Sequence, residues 1–271
     1  MLEVKRYDDV TRVVMSTAVS RAVGYNVSAY LTRECLIDTG FPAVGREFAA
    51  FIDAAHPRAV ILTHHHEDHA GNVELLARGG MPIAAADLTL ELLRASNHIG
   101  LYRRVVWGRP PALTSPVTRF APSALRLVPA PGHSIDHHVV WDAERETVFS
   151  GDLFLGVKVR VAHESENVRT LAATLRAVAN LRPVRLFDSH RGLVTSPVSQ
   201  LLAKADWLDE TIAAIDREIA AGRPDRLISD AVLGREDFTY YATQGSIGRI
   251  NFVRSVRATS TASTASTGAR S

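Results

Sequence analysis

Cysteine is nearly absent: Cys35 is the only one in 271 residues, so no internal disulfide can form and the chain suits a reducing compartment. Aromatic side chains are sparse at 7%, and neither sign of charge dominates, with 31 basic against 29 acidic residues and a formal net charge of +2. Arg257 and Arg270 account for that surplus. The body is therefore neutral, which argues against a protein built to grip nucleic acid or an anionic membrane. No apolar run reaches the roughly 18 residues that a membrane span requires. The opening Met1-Leu-Glu-Val-Lys-Arg-Tyr-Asp-Asp9 lacks the apolar h-region of a secretory leader. The expectation is a cytoplasmic protein that acts on a small molecule, and the composition leaves its oligomeric state open. Internal repeats are also missing. What the chain does have is 46% hydrophobic residues, over a length sufficient for one large domain or two small ones.

Periodicity divides the chain into strands and helices. Val10–Val19, Tyr25–Leu31 and Glu34–Asp38 read as strands, and Asp38-Thr39-Gly40 breaks the run. Val44–Ala55 has helical spacing, and Ala59–Thr63 is a short apolar strand of the kind buried on both faces. Helices are expected at Gly71–Arg78 and at Asp87–Ala95, the second with Asp87 as its N-cap. From Ser96 to Ser123 the pattern dissolves into prolines, arginines and aromatics, a long loop or cap. Strands return at Leu125–Pro129, His138–Trp141, Thr147–Ser150 and Arg185–Asp188. Amphipathic helices fit Asn167–Leu181 and Ser199–Ala221, with a further helical segment and an aromatic stretch in 227–256. The low-complexity stretch 257–271 reads as a disordered tail. The division is a core over 1–195, with a cap at 96–123, and a helical extension over 196–256.

Chemistry concentrates in Thr63-His-His-His-Glu-Asp-His-Ala-Gly71. In an extended segment His64 and His66 project to one side and can share a cation, while His65 points away. A turn after His66 brings Asp68 and His69 to a second cation. Imidazole and carboxylate suit Zn²⁺, with Fe or Mn possible. Four ligands cannot complete two coordination spheres, and His133, Asp152 and His190 each follow directly on a strand and complete the count. His56, His65 and His98 read as surface or packing histidines, His137 as a possible pocket residue, and Cys35 as a buried apolar side chain.

This set, H-x-H-x-D-H followed by Gly-His, Gly-Asp and a late histidine, resembles the metallo-β-lactamase superfamily over about residues 10–195. The resemblance implies an αββα four-layer sandwich of α+β class with two Zn²⁺ at the rim between the sheets. It also implies that His64, His66 and His133 bind the first metal, that Asp68, His69 and His190 bind the second, and that Asp152 bridges them. Asp38 matches a position that supports the histidine loop. Two cations about 3.5–4 Å apart lower the pKa of a shared water towards neutrality, giving a nucleophile without serine or cysteine. Asp68 is then the catalytic candidate, orienting that nucleophile and passing on its proton.

The expected reaction is hydrolysis of a thioester, ester or lactone. The histidine string is similar to that of glyoxalase II, whereas Asp188-Ser-His190-Arg-Gly departs from that branch, and Leu153-Phe-Leu-Gly156 lacks the tyrosine of the homoserine lactonases. Alternatives are a phosphodiesterase or endoribonuclease of the lactamase-like branch, or a mono-iron persulfide-type oxygenase. Tyr102, Arg103, Arg104 and Trp107 are candidates for a substrate wall. Lys158 and Arg160 are candidates for meeting a carboxylate, and Tyr240 and Tyr241 read as packing residues.

Overall fold

A computed structural model of the chain describes residues 1–22, 24–95 and 99–268. His98 lies outside the described residues. The strands are Leu2–Tyr7 (β1), Val10–Met15 (β2), Val27–Thr32 (β3), Cys35–Ile37 (β4), Ala59–Ile61 (β5) and Ile83–Ala84 (β6). Then come Leu125–Pro129 (β7), His138–Asp142 (β8), Thr147–Phe149 (β9), Ala162–His163 (β10), Arg185–Asp188 (β11), Gly192–Val194 (β12) and Ile247–Gly248 (β13). The helices are Ala18–Ala22 (α1), Gly45–Ala55 (α2), Val73–Arg78 (α3), Asp87–Arg94 (α4) and Leu101–Trp107 (α5). Val168–Ala179 (α6), Pro197–Ala220 (α7), Asp225–Val232 (α8), Phe238–Ala242 (α9) and Arg249–Gly268 (α10) complete them.

One compact unit comprises 1–129, 136–155 and 183–197. Its first sheet runs β1 to β6 in chain order, antiparallel up to β4 and parallel from β4 to β6. Its second sheet has the order β12-β11-β9-β8-β7. The period of two along each strand sorts side chains to opposite faces. Val10, Tyr30, Cys35, Ile37, Ala59 and Ile61 meet Leu125, Val140, Phe149 and Phe187 of the second sheet in one apolar cluster. The alternate residues Val13, Ala29, Leu36, Val60 and Leu62 pack instead with Phe41, Phe48, Leu76, Leu90 and Trp107 of the helical layer. Cys35 thus sits between the sheets, and burial raises the pKa of its thiol. The mixed sheets flanked by helices agree with the expected fold class.

The second unit comprises 130–135, 156–182 and 198–271. Asn167 caps α6, its Oδ1 accepting from Thr170 N–H at 3.0 Å. Of the expected stripe Leu171, Leu175, Val178 and Leu181, the first three are buried on α6, and Leu181 lies past its end at Ala179 and is half-buried. Arg169 reaches Asp216 of α7 at 2.6 Å, and Trp207 of α7 meets Phe252 of α10 edge-on at 6.0 Å. The unit gathers two stretches that lie before residue 196, so the division is not the linear one expected.

Several boundaries differ for local reasons. The strand expected over Val10–Val19 ends at Met15, because Thr17 and Ser20 exchange hydrogen bonds (2.8 and 3.0 Å) that start α1. Asp87 is the first residue of α4 rather than its cap and pairs with Arg119. Helix α5 forms inside the stretch expected to be irregular. The segment from 257, expected to be disordered, continues α10 to Gly268. No glycine or proline interrupts it before Gly268, Val256 is buried, Arg257 pairs with Asp225 at 2.7 Å and Thr259 accepts from Arg169 at 2.8 Å. These contacts tie its first turns down against the entropy of a polar chain.

Candidate metal centre

The chain leaves β5 at Ile61 and enters α3 at Val73, so the histidine stretch is the connection across the parallel end of the first sheet. A single carboxylate organises it. Asp38, at the end of β4 with φ +61°, accepts Thr63 N–H at 2.8 Å and the Thr63 hydroxyl at 2.8 Å. Its Oδ2 also accepts His69 Nδ1–H at 2.9 Å. His69 N–H and Ala70 N–H both donate to His66 C=O, at 3.0 and 2.8 Å, which is the turn expected after His66. Gly71 has no alternative, since a Cβ there would lie 2.2 Å from Glu67 C=O and 2.6 Å from Pro42 Cδ.

This turn, with Asp152 just past β9 and His190 just past β11, brings four expected ligands together. One donor atom each of Asp68, His69, Asp152 and His190 lies within 4.8 Å of the others. Asp152 Oδ1 is 3.1 Å from His69 Nε2 and 3.2 Å from His190 Nε2, and Asp68 Oδ2 is 3.8 and 3.7 Å from the same nitrogens. Donor atoms of His64, His66 and Asp152 also lie within 4.8 Å of one another, so Asp152 is common to both groups. His133 belongs to the segment 130–135 of the second unit. It is buried there, and its Nδ1 is 2.9 Å from Glu166 Oε1.

The imidazole tautomers follow from these partners. Thr63 gives its hydroxyl proton to Asp38, so at 3.0 Å His64 Nδ1–H donates to Thr63 Oγ1. His69 Nδ1–H donates to Asp38, His133 Nδ1–H to Glu166, and His190 Nδ1–H to Asn26 C=O at 2.5 Å. A ligand role at all four therefore falls to Nε2. His69 Nε2 is fully buried and makes no hydrogen bond, although two carboxylates stand beside it. Two aspartates and several imidazoles whose donor atoms converge in this way suit a divalent cation. Burial opposes charge at His190, but Asp152 and Asp68 override it and lift its pKa to about 9; they hold His69 well above the imidazole range in the same way. Burial likewise opposes charge at Asp152, but His69 and His190 keep its carboxyl well below the usual range. The cluster calls for positive charge.

Several supporting residues carry no signal in the sequence. His137, read as a possible pocket residue, is buried, and its Nε2 accepts Asp152 N–H at 3.1 Å, so it holds the backbone of the shared aspartate. Asp188 accepts His190 N–H at 2.9 Å, and its C=O takes the Tyr30 hydroxyl at 2.6 Å. His65 packs as expected, with its N–H and Nδ1 both on Asp136, at 2.9 and 2.8 Å. A glutamate just before the Asn167 cap is the one readable trace of Glu166.

The supposed substrate wall is divided. Trp107 is buried, 4.7 Å from Phe41 and 6.3 Å from Tyr25, and Arg103 pairs with Glu67. Arg104 is exposed, and so are Lys158 and Arg160 in the second unit. Tyr240 and Tyr241 stack edge-on at 5.4 Å, with Tyr241 exposed.

Comparison with known proteins gives a consistent result. A family profile described as the metallo-beta-lactamase superfamily matches residues 26–190. A beta-lactamase-like protein 2 homolog of Caenorhabditis elegans is 25% identical over 210 residues, 69% of this chain and 66% of that protein, so the chain spans just under two thirds of its length. Thioesterase pkgB of Emericella nidulans is 31% identical over 124 residues, which are 45% of this chain and 31% of that protein. Among solved structures, a metallo-beta-lactamase from Pontibacter korlensis aligns with TM-score 0.59 at 17% identity, covering 77% of this chain and 99% of that one. At such identity the likeness shows the fold alone.

Proposed function

The chain belongs to the metallo-beta-lactamase superfamily, and from that premise we propose that it is a metal-dependent hydrolase that uses two Zn²⁺ to hydrolyse a thioester, ester or lactone of a small molecule. The observation that carries this is the shared Asp152: one carboxylate common to two separate donor groups is the arrangement that two neighbouring cations require. In this reading His64, His66 and His133 hold the first cation and Asp68, His69 and His190 the second. When bound, the cations supply Lewis acidity and bring a water into the neutral range of pKa.

The residues do the rest. Asp38 fixes Thr63 and His69, and through Thr63 it fixes His64, so three imidazole and backbone positions depend on one buried acid. Asp68 Oδ2 lies 3.7 and 3.8 Å from two imidazoles, and its carboxylate would accept a proton from an attacking water and return it to the leaving group. Two divalent ions, two aspartates and one hydroxide leave a formal charge of about +1, which favours an anionic substrate or intermediate. The thioesterase among the relatives supports placing thioesters first in the substrate class. Metal analysis of the purified protein, coupled to a panel of thioester, ester, lactone and phosphodiester substrates, tests the proposal. Zinc near two per chain with acyl-transfer turnover is the expected result; cleavage of phosphodiesters or RNA alone overturns the substrate class.

A further inference from the structure

One buried acid of the histidine loop takes no part in the donor groups. Glu67, between His66 and Asp68, is 4% exposed, and its carboxylate accepts a hydrogen bond from Arg103 Nε. The Arg103 side chain is itself only 15% exposed. A desolvated pair of this kind adds little net stability, because the lost hydration offsets the attraction, whereas removing one partner leaves a bare charge. Its best-attested use is to fix geometry.

The geometry here is specific. Among the described residues, backbone hydrogen bonds tie His66 to His69 and Ala70 and tie Gly71 to Gly40, but they skip the two residues after His66. Those two are Glu67 and Asp68. Arg103 supplies the missing restraint, since the direction in which Glu67 is drawn sets the peptide plane from which Asp68 projects. Arg103 is also well founded. It lies on α5, whose last residue Trp107 is wedged against Phe41, three residues after Asp38. Helix α5 is thus joined both to the loop that carries the ligands and to the turn that orients them.

We infer that Arg103 is a positioning residue for the metal centre, holding Glu67 so that the Asp68 carboxylate keeps its place beside His69 and His190. The inference rests on the dinuclear reading above and gives the stretch around α5 a role other than that of a substrate wall. Four variants test it: Arg103→Ala, Glu67→Ala, the double variant and the conservative Arg103→Lys. Zinc content is expected to stay at the wild-type level in all four. kcat is expected to fall about ten-fold in each single alanine variant and no further in the double, with KM within about two-fold, and Arg103→Lys is expected to recover part of the loss. A double variant restored to the wild-type rate means that the two residues only cancel each other's charge, and overturns the inference. Loss of zinc in proportion to loss of rate overturns it as well. A second readout needs no turnover: with Co²⁺ in place of Zn²⁺, Arg103→Ala and Arg103→Lys are expected to shift the visible absorption band of the protein. An unchanged band overturns the positioning role. A wild-type protein that binds cations and hydrolyses nothing fails the functional reading instead, and the cobalt spectra still decide this one.

Discussion

The histidine loop, 63–71, and the stretch from 99 to 124 lie in the same unit and differ in how they are held. In and beside the loop, buried groups hold one another: Asp38 under Thr63 and His69, Asp136 under His65, and, just past its end, Asn72 donating to Thr39 and Phe41 C=O at 2.8 and 3.0 Å. The later stretch is pinned at a few points and open between them. Trp107 is wedged beside Phe41, Arg103 reaches Glu67, and Glu74 takes the N–H and hydroxyl groups of Thr114 and Ser115 at 2.9 to 3.1 Å. Leu101 and Val105 remain exposed on α5. The contrast teaches that reaction chemistry needs a closed network of partners, whereas a segment beside it needs only anchors.

Breaking the loop at its centre should have the largest effect. Asp152→Ala is expected to reduce turnover by about three orders of magnitude or more and to lower metal content, because both donor groups lose their common carboxylate. Steady-state assay with metal analysis checks this, and full activity would remove Asp152 from the centre. Next comes the support beneath it. Asp38→Ala leaves every ligand in place but frees His69 and Thr63, and about 10- to 100-fold weaker zinc binding is expected in a chelator competition.

The smallest effect belongs to the anchored stretch. Its hydrogen bonds offset burial and depress the Glu74 pKa to about 2. A depressed carboxyl stabilises the fold above its unfolded pKa and loses that contribution as pH falls towards 2. Glu74→Gln should therefore cost roughly 2 kcal/mol near neutrality, with a gap from wild type that closes between about pH 4.5 and pH 2 in denaturation curves. A gap that stays constant with pH would show that the charge of Glu74 is not what anchors the stretch. Zinc content should not change.

The same contrast explains what could be read in the sequence. Imidazole and carboxylate at fixed spacing have few uses apart from cations, so His64, His66, Asp68 and His69 announced themselves, and strand ends pointed to Asp152 and His190. Asp38 was legible only through the resemblance, whose pattern implies a support for the histidine loop at the Asp-Thr-Gly turn. The supports were not visible, because they come from far along the chain and from groups every residue possesses: Asn26 C=O lies 164 residues from His190, and Arg103 lies 36 from Glu67. Strand β1 escaped notice since Glu3, Lys5 and Arg6 make it an exposed edge. Helix α5 was hidden by the prolines and arginines around it, and the continuation of α10 by an alanine, serine and threonine composition that suits solvent as well as a helix.

The hydrogen bonds that commit His64, His69 and His190 to one tautomer are made with protein groups, and that bears on how a metal centre of the proposed kind would be assembled. Small zinc modules fold only when the ion arrives, whereas here protein groups already orient these imidazoles. Dialysis against a chelator should empty the ligand shell without melting the protein. Which ion occupies the shell afterwards becomes a question of supply.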